Sequence, residues 1–269
     1  MSIFDDVKER SLTVWITGAS SGIGKALAYE YGRNNCQLIL SGRNQEALAS
    51  IREQLPSPNS VHIIPLDLET ESDFNAVALK AKSCFGGVDV LINNAGVSQR
   101  SLVAETDMDI DRKIMEVNYF GNIALTKAIL PVLLESEHAS IIVVSSLAGK
   151  FGFFLRSAYA ASKHAIHGFY DSLRLELADN NVHVLIACPS FVQTAISQNA
   201  LDRYGKSTGE LDPRQKEGMS AEECARQIIR AAKSGKHEIV IGTKGRVAVA
   251  LSKLMPKVFF RILRKQAQR

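Results

Sequence analysis

Thr17-Gly18-Ala19-Ser20-Ser21-Gly22-Ile23-Gly24 is the stretch that decides the fold. It lies between an apolar, β-rich run at 12–16 and a helical pattern at 22–33, with Ile23, Leu27 and Tyr31 on one side. A strand that turns through glycines straight into a helix aims the helix's free N–H groups, and their partial positive charge, at whatever lies beyond the turn. Glycines let the chain turn sharply and let a pyrophosphate approach the backbone. With a strand before it and a helix after it, the turn is a candidate dinucleotide phosphate loop.

Working outward, the same alternation repeats. Apolar runs at 36–40, 61–66, 88–92, 140–144 and 182–188 read as strands, and 238–241 as a short last one. Helical patterns fill 45–55, 71–85, 109–134, 157–180 and 222–234. Pro131 lies inside the long 109–134 pattern, which predicts a kink or break there. The strand runs are continuously apolar rather than alternating, as in a parallel sheet covered on both faces. The expectation is α/β: a single doubly wound parallel-sheet Rossmann domain with helices on both faces, spanning 1–243. The polar, turn-rich segment 195–219 interrupts the alternation after the sixth strand and suits a lid over a site.

Composition narrows the function classes. Of 269 residues, 46% are hydrophobic and 22% charged, ordinary for a globular domain. No apolar run reaches the 18 or so residues needed to span a bilayer, and residues 1–10 do not read as a targeting peptide; a cytoplasmic enzyme is expected. Cys36, Cys84, Cys188 and Cys224 form no Cys-x-x-Cys pair and read as core thiols, and the histidines show no metal-binding spacing, so no metal is expected. The net charge of +4 hides an asymmetry: 244–269 carries eight basic and no acidic residues, leaving 24 basic against 28 acidic in the body. The body therefore has no electrostatic reason to bind nucleic acid.

The glycine spacing G-x-x-x-G-x-G resembles the short-chain dehydrogenase/reductase family, and Ser145-Ser146-Leu147-Ala148-Gly149-Lys150 with Ser162-Lys163-His164-Ala165 resembles its hydroxysteroid-dehydrogenase-like, DHRS-type branch. Further motifs follow in order: Asn93-Asn94-Ala95-Gly96 after the fourth strand, Asn118 in the next helix, Ser145-Ser146 ending the fifth strand, and Tyr159-Ala160-Ala161-Ser162-Lys163 thirteen residues beyond Ser146. The resemblance implies an oxidoreductase, usually a homodimer or homotetramer. It implies that Gly18, Ser20, Ser21, Gly22, Ile23 and Gly24 cradle a nicotinamide dinucleotide. Asp67 and Leu68 would meet the adenine, Asn93, Ala95 and Gly96 the adenosine ribose, and Pro189, Val192 and Thr194 the carboxamide. Asp67 also reads as a helix cap.

The end of the second strand selects the cofactor. NAD-linked enzymes place an acid there for the ribose 2′-hydroxyl. Gly42 stands in that place and Arg43 follows, a guanidinium that can pair with a 2′-phosphate, although it also suits a solvated loop. NADP(H) is expected.

Reducing a ketone requires a proton donor at the oxygen. Tyr159 and Lys163, at i and i+4, share a helix face, and an ammonium there lowers the phenol pKa. The resemblance assigns Tyr159 as acid/base, Lys163 as pKa tuner and ribose ligand, Ser146 as substrate orienter and Asn118 as proton-relay residue. Phe151 and Phe153, between Ser146 and Tyr159, border an apolar substrate of steroid, retinoid or fatty-acyl type, or else fill core. Two rival readings are a 3-oxoacyl-carrier-protein reductase and a catalytically silent NADP sensor or scaffold. In the extension 244–269, Pro256 separates two helices. The second places Val258, Phe259, Ile262 and Leu263 on one face with basic residues around it, suited to peripheral membrane contact through 246–269 or to packing on protein.

Overall fold

The computed structural model describes residues 11–267, with side chains to residue 265; 1–10, and with them the reading of the N-terminus, lie outside the described residues, as do the last two residues of the tail. Seven strands form one parallel sheet: β1 (Thr13–Thr17), β2 (Gln37–Gly42), β3 (Val61–Pro65), β4 (Val90–Asn93), β5 (Ala139–Val144), β6 (Val182–Pro189) and β7 (Glu238–Ile241). Their order is β3-β2-β1-β4-β5-β6-β7. The direction of strand addition reverses between β1 and β4, and that crevice at the carboxyl ends of the strands is where open α/β sheets bind ligands.

The helices are α1 (Gly22–Arg33), α2 (Gln45–Gln54), α3 (Phe74–Phe85), α4 (Met108–Met115), α5 (Gly121–Leu133), α6 (Ser157–Glu176), α7 (Pro213–Lys216), α8 (Ala221–Lys233), α9 (Thr243–Leu254) and α10 (Pro256–Ala267). Alternate residues along each strand feed two separate cores. Val14, Ile16, Leu38 and Leu40 pack with Leu27, Ile51 and Ile228 of α1, α2 and α8. Trp15, Ile39 and Leu91 face the other way, onto Ala81, Ile129 and Ile166 of α3, α5 and α6. Burying a Leu or Ile on either face contributes about 1.5–3 kcal/mol, which is why both faces of these strands are apolar.

Two expectations are corrected here. α5 runs through Pro131 to Leu133, and the interruption of the long pattern lies upstream, where Glu116–Phe120 form a π-helical turn between α4 and α5. Asn118 sits in that turn: its Oδ1 accepts from Val97 N–H (2.8 Å) while its Nδ2 donates to Val97 O (2.9 Å). A turn that widens to seat such a side chain is a recurrent feature of functional helices. The third helix starts at Phe74 rather than near residue 71, because Asp73, not Asp67, accepts from the N–H three residues on and caps it. Among the described residues no helix is long and apolar enough to cross a membrane.

Candidate active site

The carboxyl ends of β1, β4, β5 and β6 open into a cleft of about 650 Å³. Its floor begins with the glycine turn. Gly18 and Gly22 have φ of 61° and 52°, a region L side chains rarely adopt. A Cβ at Gly24 would lie 2.3 Å from the Gly18 carbonyl oxygen, so the turn closes on itself only with glycine. Ser21 begins α1 without a side-chain cap, and no acid stands in the first turn. The helix thus presents uncapped N–H groups to the cleft, as an anion site requires. Asn94, not singled out by the sequence reading although it lies in its motif, ties the turn to β4 by donating from Nδ2 to Thr17 O (3.0 Å) and Gly18 O (3.2 Å).

Farther along, Arg43 borders the cleft beside Gly42 and is exposed. Asp67 and Leu68 line it as well, the Asp67 carboxylate accepting from Glu69 N–H (3.1 Å) in a tight turn. Ala95, Gly96, Pro189, Val192 and Thr194 complete the wall together with Ser20, Ser21 and Ile23.

The chemistry-bearing side chains stand at the other end. Tyr159 and Lys163 project from the first turns of α6 and are both buried. The Lys163 ammonium donates to Val144 O (3.0 Å) and lies 5.7 Å from the centre of the Tyr159 ring. Burial pulls its pKa down to about 8. Burial also pushes the Tyr159 phenol above its ordinary value, opposed by a hydrogen bond from Ser146 and by the Arg156 guanidinium. Ser146 Oγ accepts from Ala148 N–H (3.1 Å), which fixes the turn after β5. Asn118 is fully buried below them, donating to Ser162 Oγ (3.0 Å) one position before Lys163.

A family model described as short chain dehydrogenase matches residues 12–205, the segment that contributes every one of these groups. The chain belongs to the short-chain dehydrogenase/reductase family. The chain is 38% identical over 268 residues to dehydrogenase/reductase SDR family member 7B of Rattus norvegicus, the match covering 97% of this chain and 82% of that one. It is 40% identical over 267 residues to dehydrogenase/reductase SDR family protein 7-like of Anopheles gambiae, covering 95% and 83%. A solved short-chain dehydrogenase from Streptomyces avermitilis superposes with a TM-score of 0.80 at 26% identity, over 96% of this chain and 98% of that one. The family is one of oxidoreductases.

Not every expected residue reaches the cleft. The Asn93 side chain turns away from it, and its Nδ2 donates to Thr126 Oγ1 (2.8 Å) and Tyr170 Oη (2.9 Å) in the core beneath β4, where a buried N–H donor needs partners. Phe151 is likewise displaced. It is buried against Phe259 of α10, ring centres 4.6 Å apart, so of the two phenylalanines only Phe153 lines the cleft. The second tail helix is therefore a packing element through Phe259 and Leu263, while Val258 and Ile262 stay exposed.

Two further features were outside the sequence reading, and a third gives the contacts of the 195–219 segment that it read as a lid. Arg156 lines the cleft and pairs with Asp212 (2.9 Å), pinning the 195–219 segment over it; the only signal was a cation in an apolar strip. Ala195, Ile196, Ser197 and Leu201 of that segment face the cleft. Behind Ser145, the ring of His167 meets Ser145 Oγ (3.1 Å) and Cys188 Sγ (3.6 Å). His167, Cys188 and Glu238 bring potential ligand atoms within 4.8 Å of one another, a grouping that linear spacing hides. The Lys150 ammonium occupies this cluster, 3.3 Å from His167 Nδ1 and paired with Glu238.

Proposed function

We propose that the protein transfers hydride between NADP(H) and the carbonyl or secondary alcohol carbon of an apolar substrate, with Tyr159 as general acid and base. The observation that carries this reading is the meeting, in one cleft, of an uncapped glycine-lined helix terminus with the buried Tyr159 and Lys163 and the half-buried Ser146. The glycine turn fits a dinucleotide: a Cβ at Gly18 would strike Ala95 at 2.8 Å and one at Gly22 would meet Thr194 at 3.0 Å, so backbone rather than side chains faces the bound group. The α1 N-terminus would hold its phosphates, and Arg43 the 2′-phosphate, with no acid at position 42 to repel it. The group supplies the hydride.

The remaining work falls to side chains. Ser146 donates to the substrate oxygen and orients it. Tyr159 passes its phenolic proton to that oxygen as charge develops. The charged Lys163, and Arg156 at the N-terminus of the same helix, stabilise the phenolate that remains. Asn118 holds the α4–α5 turn under Ser162 and Lys163 and so keeps the relay aligned. NADPH oxidation measured against a panel of ketones, aldehydes, steroids and 3-oxoacyl thioesters tests the reading. Turnover of apolar ketones at rates well above an NADH control supports it; no turnover across the panel overturns it.

The same reading extends to the tail. Leu254, Met255 and Phe260 are exposed among Lys253, Lys257, Arg261, Arg264 and Lys265, a mixture suited to an anionic lipid surface. Co-sedimentation with phosphatidylserine vesicles is expected to fall several-fold in a Leu254→Glu/Phe260→Glu variant. Equal sedimentation of the two proteins contradicts it.

A further inference from the structure

A second cavity, of about 600 Å³, lies beside the cleft. It is bounded by the turn after β5 (Leu147, Phe151, Phe153) and roofed by α9 and α10 through Ala248, Leu251 and Phe259. Its charged lining residues, Arg214, Glu217 and Lys244, are all exposed and so mark its rim. The roof lies beyond residue 205, outside the segment that matches the family model, so the family's common core does not account for it.

The two spaces adjoin. Leu147, Phe153, Ser190 and Phe191 line both. Phe153 packs on one side against the small buried cluster that contains Tyr159 and on the other against the cluster of Leu147, Phe151 and Phe259. At Gly245 a Cβ would lie 3.2 Å from both Leu147 methyl carbons and 3.2 Å from Ser190 Cβ, so α9 is drawn down onto the wall that the cavities share. Only the partly buried Phe153 side chain and its neighbours in that wall stand between the catalytic groups and the chamber.

We infer that the chamber is the second half of the substrate site and holds the aliphatic chain of a carbonyl compound whose oxygen lies between Ser146 and Tyr159. The inference rests on the proposed carbonyl chemistry and narrows its substrate to a long-chain, lipid-like ketone or acyl derivative. Sealing each methylene from water contributes about 0.8 kcal/mol, close to a fourfold gain in kcat/KM per methylene until the chamber is full. A substrate confined to the cleft gains nothing of the kind.

The test uses the full chain with NADPH and three ketones: methyl n-propyl, methyl n-hexyl and methyl n-decyl ketone. The expected result is kcat/KM that climbs steeply with chain length, and a long-to-short ratio that collapses at least tenfold in Ala248→Trp and in Val247→Trp, where an indole enters the chamber or its rim. Because a damaged fold lowers both rates together, the ratio reads the chamber alone. Reduction of the propyl ketone with no dependence on chain length, or the same dependence in the filled variants, overturns the inference and leaves the carbonyl chemistry standing. A second measurement is independent of turnover: fluorescence of dansyl-labelled undecanoate, which is expected to bind the wild-type chain, to be displaced by the decyl ketone and to be lost in Ala248→Trp. Equal binding by Ala248→Trp overturns the chamber assignment even if no ketone is reduced, whereas absence of reduction with intact, Ala248→Trp-sensitive probe binding overturns only the chemistry.

Discussion

The proposed preference for NADP(H) rests on two adjacent residues, Gly42 and Arg43, and predicts that exchanging them inverts cofactor choice. The perturbation is Gly42→Asp with Arg43→Ala. At Gly42 an added Cβ would lie 3.6 Å from Ser20 Oγ and 3.9 Å from Leu48 Cδ1, ordinary van der Waals distances, and the backbone there is not left-handed. The carboxylate therefore enters without strain, and stability is expected to stay within about 0.5 kcal/mol. Removing the guanidinium forfeits a charge-assisted hydrogen bond to the 2′-phosphate worth about 1.5–3 kcal/mol. A carboxylate placed about 6 Å from a phosphate charge repels it by about 2–3 kcal/mol at an effective dielectric of 20. The two effects share a partner and will not add fully; a combined loss of about 4 kcal/mol corresponds to roughly a thousandfold fall in kcat/KM for NADPH. NADH gains a carboxylate acceptor for its ribose hydroxyls, so its efficiency is expected to rise about tenfold. Steady-state kinetics with both cofactors on one ketone, alongside thermal unfolding, measures this. A folded variant whose NADPH-to-NADH ratio moves less than tenfold refutes the reasoning.

Further outcomes follow from the buried groups. The Lys163 ammonium costs stability below its native pKa of about 8, and the cost fades as pH rises toward the ordinary 10.5, where the unfolded chain also loses the proton. Lys163→Met is accordingly expected to abolish turnover while raising cofactor-free stability at neutral pH by about 2 kcal/mol, the burial cost less one hydrogen bond. The gain, read by urea unfolding, shrinks above pH 8. His167 has the same sign at lower pH. Burial and the facing Lys150 ammonium pull its pKa to about 4, against Glu238 and Asp171, with His164 adding to the depression. Between the ordinary 6.5 and about 4 the unfolded state takes up a proton that the native state refuses, so stability falls as pH drops through that window, by up to about 3 kcal/mol. A His167→Gln variant is expected to lose that part of the pH dependence when the same unfolding curves are compared.

Much of this architecture was legible because the inner strands are buried on both faces. Continuous apolar runs at 140–144 and 182–188 admit few other readings, and α1 and β7 fall where the residue pattern places them. What escaped was whatever depends on three-dimensional neighbours. The π-helical turn at Glu116–Phe120 is invisible because its residues still satisfy a helical pattern; its cause is the Asn118–Val97 pair, twenty-one positions apart. The start of α3 was misplaced because Asp67, Glu71 and Asp73 are all competent caps, and only the fold decides among them. Asn93 looks like a site residue in the linear motif, yet its side chain faces the core under β4, and Phe151 lies against α10 at the second cavity rather than at the cleft. The tail presented two readings as alternatives. Phe259 packs inward while Phe260 stays exposed, so a single helix can serve both.

The central claim is that the Tyr159 hydroxyl delivers the proton. The most direct measurement is single-turnover reduction of a bound ketone by NADPH in wild type and Tyr159→Phe, with NADPH affinity measured on the same samples by calorimetry. The account predicts a rate lower by about 10²–10⁴-fold with cofactor affinity changed less than threefold, since a methine replaces only the acid. A phenylalanine variant that binds NADPH normally and reduces the ketone at the wild-type rate would contradict it.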